Sequence, residues 1–219
     1  PYGQGYGINP KTGGMRIHEA IRKDQPDFFL PGADLIYADQ PLKARKGARK
    51  GRVWHNLVTP EKSKVAETLA EFRGNFRYNL LDEHVRRLNA EVPWVVQWDD
   101  HETKNNWWPG RQLTEDRRYT VKSCALLSAR GRRAMFEYTP IATRLDAPGR
   151  IYRACPTAPC WTCSCSTPAA TAGPTAATSR PPTGPPATSS APSRWPGCAG
   201  SSRRPRPPGS WWSATCLSA

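Results

Sequence analysis

With 219 residues the chain is long enough for one domain with a real core, and 32 Lys and Arg against 18 Asp and Glu give it a formal charge of +14. No run of 18 apolar residues occurs, so no membrane span is expected, and the first residues lack the basic start and apolar run of a secretory signal. Composition breaks near residue 150: all 18 acids and 26 of the 32 basic residues lie at or before Arg150, whereas 13 of 23 prolines and six of seven cysteines lie beyond it.

Residues 1–14 read as a glycine-rich loop, and residues 15–23 have helical spacing, with Met15, Ile17, Ala20 and Ile21 apolar between charges. Asp27-Phe-Phe-Leu30 is a short apolar run that reads as a strand, followed by Asp34-Leu-Ile-Tyr-Ala-Asp39. Residues 42–53 carry Lys43, Arg45, Lys46, Arg49, Lys50 and Arg52 among glycines and alanines. They read as a solvated loop, with a lip that draws anionic phosphate as the alternative.

Thr59-Pro-Glu61 is a helix-start signal, an N-cap followed by proline and an acid in the first turn. Val65, Leu69 and Phe72 give that helix its apolar face, Gly74 is expected to break it, and residues 76–88 resume it. Trp94 to Trp98 reads as a second buried strand, fenced by Pro93 and followed by Asp99, Asp100, His101 and Glu102. A last helix is expected over about 121–138. Cys124 sits there among Ala125, Leu126 and Leu127 and reads as an inert core thiol rather than a nucleophile.

Two strands that both end in acids, with a helical hairpin between them, deliver ionisable side chains to one sheet edge, where α/β enzymes bind their substrates. Carboxylate oxygens suit hard cations and an added imidazole suits borderline metals. A solvated acidic turn is the other reading of Asp-Asp-His-Glu alone.

At this point the text becomes specific. Asp34-Leu-Ile-Tyr37 resembles the Asp-x-x-Tyr of iron-containing metallophosphatases. Trp98-Asp-Asp-His-Glu102 resembles the same five residues in the PhoD-type alkaline phosphatase/phosphodiesterase family. Gly5-Tyr-Gly-Ile-Asn-Pro10, Asn105-Asn-Trp-Trp-Pro109 and Arg133-Ala-Met-Phe-Glu-Tyr138 resemble that family in the same order, so the likeness covers residues 1 to about 153.

The resemblance implies an α/β fold, a fragment of a calcineurin-like metallophosphatase sandwich with two sheets flanked by helices. The implied activity is metal-dependent hydrolysis of phosphate monoesters or diesters at a two-metal site, with Fe and Ca as cofactors and other divalent metals admitted. Asp34 would be the bridging ligand, Tyr37 a phenolate ligand to ferric iron, Asp100 a further ligand and His101 the catalytic histidine. Asp99 and Glu102 would orient ligands. The partner is a phosphate-ester substrate and the expected state a monomer. Family members are typically exported, so the true N-terminus is expected to be missing.

The chain departs from the family where Pro31-Gly32-Ala33 replaces His-Ser-Gly before the bridging aspartate. It also lacks the first-strand ligand and any later Gly-Asp-x-His. A complete two-metal shell cannot be assembled from these residues.

From Ile151 onward there is no Asp, Glu, Lys, Asn, Gln, His, Val, Phe or Met, so residues 154–219 are expected to be disordered for want of apolar surface to bury. Cys160-Trp-Thr-Cys-Ser-Cys165 has one Cys-x-x-Cys pair but no histidine follows, and zinc needs four ligands. A shifted reading frame accounts for this segment better. Read one base earlier, Cys160 into Trp161 must give leucine, Trp161 into Thr162 aspartate and Trp211 into Trp212 valine, and the shifted text resembles the same family. The chain therefore divides into a partial enzyme domain, 1–153, and an out-of-frame tail, 154–219. The contrasting class is a non-enzymatic, basic, proline-rich protein that binds nucleic acid through arginines.

Overall fold

The computed structural model describes residues 5–32, 34–48, 51–141 and 149–151, with the backbone of 153–158 and 161–165. It is a mixed fold of four helices and two small antiparallel hairpins among those residues. Helix α1 (Arg16–Lys23) forms where expected, with Glu19 in the first turn and Arg22 and Lys23 in the last, where each sign suits the helix dipole, but it buries His18 and leaves Ile17 and Ala20 exposed. Arg22 ties α1 to α3 (Glu83–Glu91) through Glu91 at 2.8 Å.

The two expected strands do lie side by side in parallel, but only as a single bridge between Phe29 and Trp94. Phe29 N–H donates to Pro93 O (2.8 Å) and Val95 N–H donates to Phe29 O (2.9 Å). The next rung on one side would need an N–H from residue 31 and on the other an N–H from residue 93. Both are prolines, so the ladder stops after one step. The bridge still sets residues 31–39 and 99–106 next to each other, which is what the site requires.

Residues 42–53 are not simply a loop. Strands β1 (Arg45–Gly47) and β2 (Val53–His55) form an antiparallel hairpin. Its support comes from far along the chain. Tyr6 packs edge-on against Trp54 (6.0 Å) and donates to Gly47 O (2.9 Å), and the Lys46 ammonium lies 4.2 Å above the Tyr6 ring.

The helix start also needs correcting. Thr59-Pro60-Glu61 opens only a 3-10 turn, Pro60–Lys62, and α2 (Leu69–Asn79) begins at a capping box in which Thr68 and Glu71 bond each other's backbone N–H. Gly74 does not break α2. It stands inside the helix where the Glu61 side chain crosses, and any Cβ there would collide with that chain. The break falls at 80–82, where Asp82 accepts from His84 N–H (3.0 Å) and Val85 N–H (3.1 Å) to start α3. Helix α4 (Cys124–Tyr138) is capped by Ser123 and buries Cys124, Leu127, Gly131, Ala134 and Met135 along one stripe. Cys124 is fully buried and free, and burial pushes its thiol pKa up, as an inert core thiol requires.

The main core joins Phe72 and Phe76 of α2 and Leu127 and Met135 of α4 to Leu35, Ile36, Val96 and Trp98 from the two loop-bearing segments. A smaller core holds Ile8, Leu42, Tyr78 and Val85. Beyond Ile151, strands β3 (Arg153–Ala158) and β4 (Trp161–Cys165) pair as an antiparallel hairpin. That is regular backbone at 154–158 and 161–165, where composition alone gives an expectation of disorder. Residues 166–219 lie outside the described residues.

Candidate metal centre

Two loops leave the Phe29–Trp94 bridge together and are joined by side chains rather than by a sheet. His101 N–H donates to Asp34 Oδ1 (3.1 Å) and Ala38 N–H donates to His101 O (2.9 Å). Between them stands Glu102, with no exposed surface. Its Oε1 accepts from Leu35 N–H (2.5 Å) and Ile36 N–H (3.4 Å), and its Oε2 accepts from Asp99 N–H (2.9 Å). One carboxylate therefore satisfies three buried backbone donors in two loops.

This pairing gathers Asp34, Asp100 and His101, which each offer one ligand atom within 4.8 Å of the others. Asp34 is buried, and burial above all raises its pKa. Burial also raises Asp99, with the Asp34 charge adding to it. Two carboxylates and an imidazole form a donor set for hard to borderline divalent cations. Acids held above their usual range by burial and by one another are groups that such a cation relieves. The residues present thus fit a metal ion.

His101 is oriented by a residue that sequence reading left out of the site. Its Nδ1 lies 2.7 Å from Asp39 Oδ1, to which Nδ1–H donates, and its Nε2 lies 4.0 Å from Asp100 Oδ1. Burial lowers the His101 pKa, but the Asp39 hydrogen bond and the charges of Asp39, Asp34 and Asp100 outweigh it, and the net direction is up. Asp39 is itself fixed by Asn105 N–H, which donates to Oδ2 at 2.9 Å. The only sign of Asp39 in the sequence was that an acid ends the run that Asp34 begins.

Tyr37 hydrogen-bonds Asp34, and its ring lies 4.4 Å from the His101 ring. Burial and that bond push the phenol pKa up. Asp100 is held in a tight turn, Oδ2 accepting from Asn106 N–H (2.5 Å) while Asn106 adopts φ 52°. Lys62, also unforeseen, is buried and donates to Tyr37 O (2.9 Å) and Asn75 Oδ1 (2.8 Å), so it braces the loop that carries Tyr37. Burial pulls its pKa down to about 8. Of the residues that replace the family's His-Ser-Gly, Ala33 lies outside the described residues.

The family model for PhoD-like phosphatase matches residues 2–159. Alkaline phosphatase D of Bacillus subtilis (strain 168) is 30% identical over 126 residues, which are 57% of this chain and 20% of that protein. A solved structure of PhoD is 26% identical and covers 63% of this chain and 25% of its own, with a TM-score of 0.46. The chain thus spans about a fifth of the length of the curated relative it matches.

Proposed function

The chain belongs to the PhoD-like phosphatase family, and from that premise we propose that it is built for metal-dependent hydrolysis of phosphate monoesters or diesters, with its metal ligands among Asp34, Tyr37 and Asp100. The observation that carries the proposal is the convergence of Asp34, Asp100 and His101 within 4.8 Å, from loops 67 residues apart in sequence. In the intact fold these loops would stand at the edge of a two-sheet metallophosphatase sandwich, and the metals of choice would be Fe and Ca. Bound there, the metal supplies charge to clamp phosphoryl oxygens and to acidify a water.

The chain's own residues do the rest. Asp39 holds the Nδ1 proton of His101, which leaves Nε2 to carry or deliver a proton to the leaving alkoxide. Tyr37 gives its hydrogen bond to Asp34 and, deprotonated, would be the residue to hold a ferric ion. Glu102 keeps the two loops in register.

Asp34, Asp100 and His101 are the one group of potential ligands among the described residues, and with His101 reserved for proton transfer they fall short of a two-metal shell. The chain is therefore expected to bind manganese or calcium but to turn over a chromogenic phosphodiester only at trace level. Asp34→Asn should weaken metal binding by calorimetry more than about 100-fold, beyond the ~10–100-fold that outlying partners of a ligand are worth. Robust turnover abolished by His101→Ala would show that the remaining ligands are already present.

The reading of residues 154–219 as out-of-frame text rests on the forced codons at Cys160, Trp161 and Trp211. DNA across Arg153 should restore family-like text with a one-base shift. Codons that block that text in the shifted frame would dispose of the idea.

A further inference from the structure

The turn that carries Asp100 and His101 has a second face. Beyond it the chain doubles back and leaves an open groove of about 670 Å³ lined by Lys104, Trp108, Arg111, Arg118 and the acids Glu115 and Asp116. Asp116 takes both Lys104 (3.1 Å) and Arg118 (2.8 Å), so one carboxylate answers two cations. Arg111 is met by no carboxylate among the described residues. Its Nη1 donates to the carbonyls of Asn105 (3.2 Å) and Asn106 (2.9 Å), and its guanidinium lies 5.2 Å over the Trp108 ring. A guanidinium fixed at one end by carbonyls keeps its other donors for a planar or tetrahedral oxyanion.

The groove adjoins the candidate centre directly. Arg118 donates to Asp39 O (3.2 Å), the residue that holds His101, and Lys104 N–H donates to Asp100 O (2.8 Å). The groove and the centre are therefore two faces of one turn, so a substrate whose ester phosphate sat on Asp34, Asp100 and His101 has this groove beside it.

We propose that the Arg111 groove is a subsite for a second phosphate on the leaving group, which makes substrates with neighbouring phosphates preferred over simple esters. The proposal rests on the hydrolase reading for its position, but the groove's own affinity for phosphate does not.

The test has two arms. In the first, with metal chelated and at about 0.15 M salt, the chain is titrated with tripolyphosphate by calorimetry and tryptophan fluorescence. One saturable event is expected, equal in Asp34→Asn, and weakened about tenfold or more by Arg111→Gln, a loss of about 1.4 kcal/mol. Trp108→Leu should remove most of the fluorescence change. Arg45→Gln in the basic hairpin should change nothing, which separates a site from general attraction to a chain of charge +14. Glutamine removes the charge and ends two bonds short of Nη1, so it gives up the Asn105 and Asn106 carbonyls as well, and unchanged manganese affinity in Arg111→Gln would show the turn intact.

In the second arm, with manganese, propane-1,3-diyl bisphosphate should bind about tenfold tighter than propyl phosphate, and Arg111→Gln should erase that difference. Tripolyphosphate binding that is absent, indifferent to Arg111→Gln or equally weakened by Arg45→Gln overturns the subsite. Intact tripolyphosphate binding with no preference for the bisphosphate overturns its link to the substrate. Failure of manganese to bind in the unaltered chain instead strikes the hydrolase reading.

Discussion

Glu102→Ala is expected to lower the unfolding free energy by about 3–5 kcal/mol, the largest loss from any single truncation near the centre. The carboxylate is wholly buried and is the acceptor for Leu35, Ile36 and Asp99 N–H. A buried donor left without a partner costs about 1–3 kcal/mol, and three are orphaned at once. Water entering the vacated space offsets part of that sum.

Two effects compete at Glu102 itself. Burial, then the charge of Asp34, push its pKa up to about 8, while the N–H groups of Asp99, Leu35 and Glu102 itself favour the ionised form. Because the folded pKa lies above the ordinary value of 4.5, the native state holds its proton longer than the unfolded chain. The group's contribution is thus fully present below pH 4.5 and drains away as pH rises toward 8. Glu102→Gln separates the terms. It removes this pH dependence and still accepts from Leu35, but it turns an amide N–H toward that of Asp99, and should cost about 1–3 kcal/mol. Urea unfolding of the three proteins at pH 5 and pH 8 reads both quantities. If Glu102→Ala unfolds at the same urea concentration as the unaltered chain, the side chain does not join the loops.

How much of this was legible in the sequence depends on how far apart the partners lie. Trp98 to Glu102 and Asp34 to Tyr37 could be found because strand-ending acids and their neighbours are local text. Most of α4 followed from apolar spacing, whereas α1 was placed by it but turns His18 inward and Ile17 outward. The start of α2 was misplaced although its signal was present, since Thr68-Leu-Ala-Glu71 has the spacing of a capping box and Thr59-Pro-Glu-Lys62 does not. The β1–β2 hairpin was missed for another reason. Its strands are three residues each and the first is mostly basic, and packing of Tyr6 on Trp54 supplies the order that so short a pair lacks. That Asp39 orients His101 and that Glu102 ties two loops together could not be read, although Glu102 was given an orienting role, because their partners stand 62 and 67 residues away.

Gly131→Ala should destabilise the chain by about 2 kcal/mol, although alanine is the better helix former by about 1 kcal/mol in an exposed helix. Gly131 sits in the middle of the buried stripe of α4, where a Cβ would stand 2.6 Å from the Glu102 carbonyl oxygen and 3.2 Å from the rings of Phe72 and Trp98. Relief by a side-chain rotation is impossible at the first of these contacts, because the oxygen is backbone. Either α4 retreats from the core or the Glu102 turn moves, and overpacking of this kind costs about 1–3 kcal/mol beyond the propensity gained. In a domain of this size a loss of 2 kcal/mol lowers the melting temperature by roughly 4–8 °C. The same shift acts on the centre, since Glu102 is covalently next to His101 and bonds the loop of Asp34. Manganese affinity should therefore fall several-fold in Gly131→Ala, with no ligand altered. Alanine at 132, next along the helix, is the control, and it should leave the affinity unchanged. A Gly131→Ala protein that melts higher than the unaltered chain would mean that α4 does not press on the Glu102 turn as described.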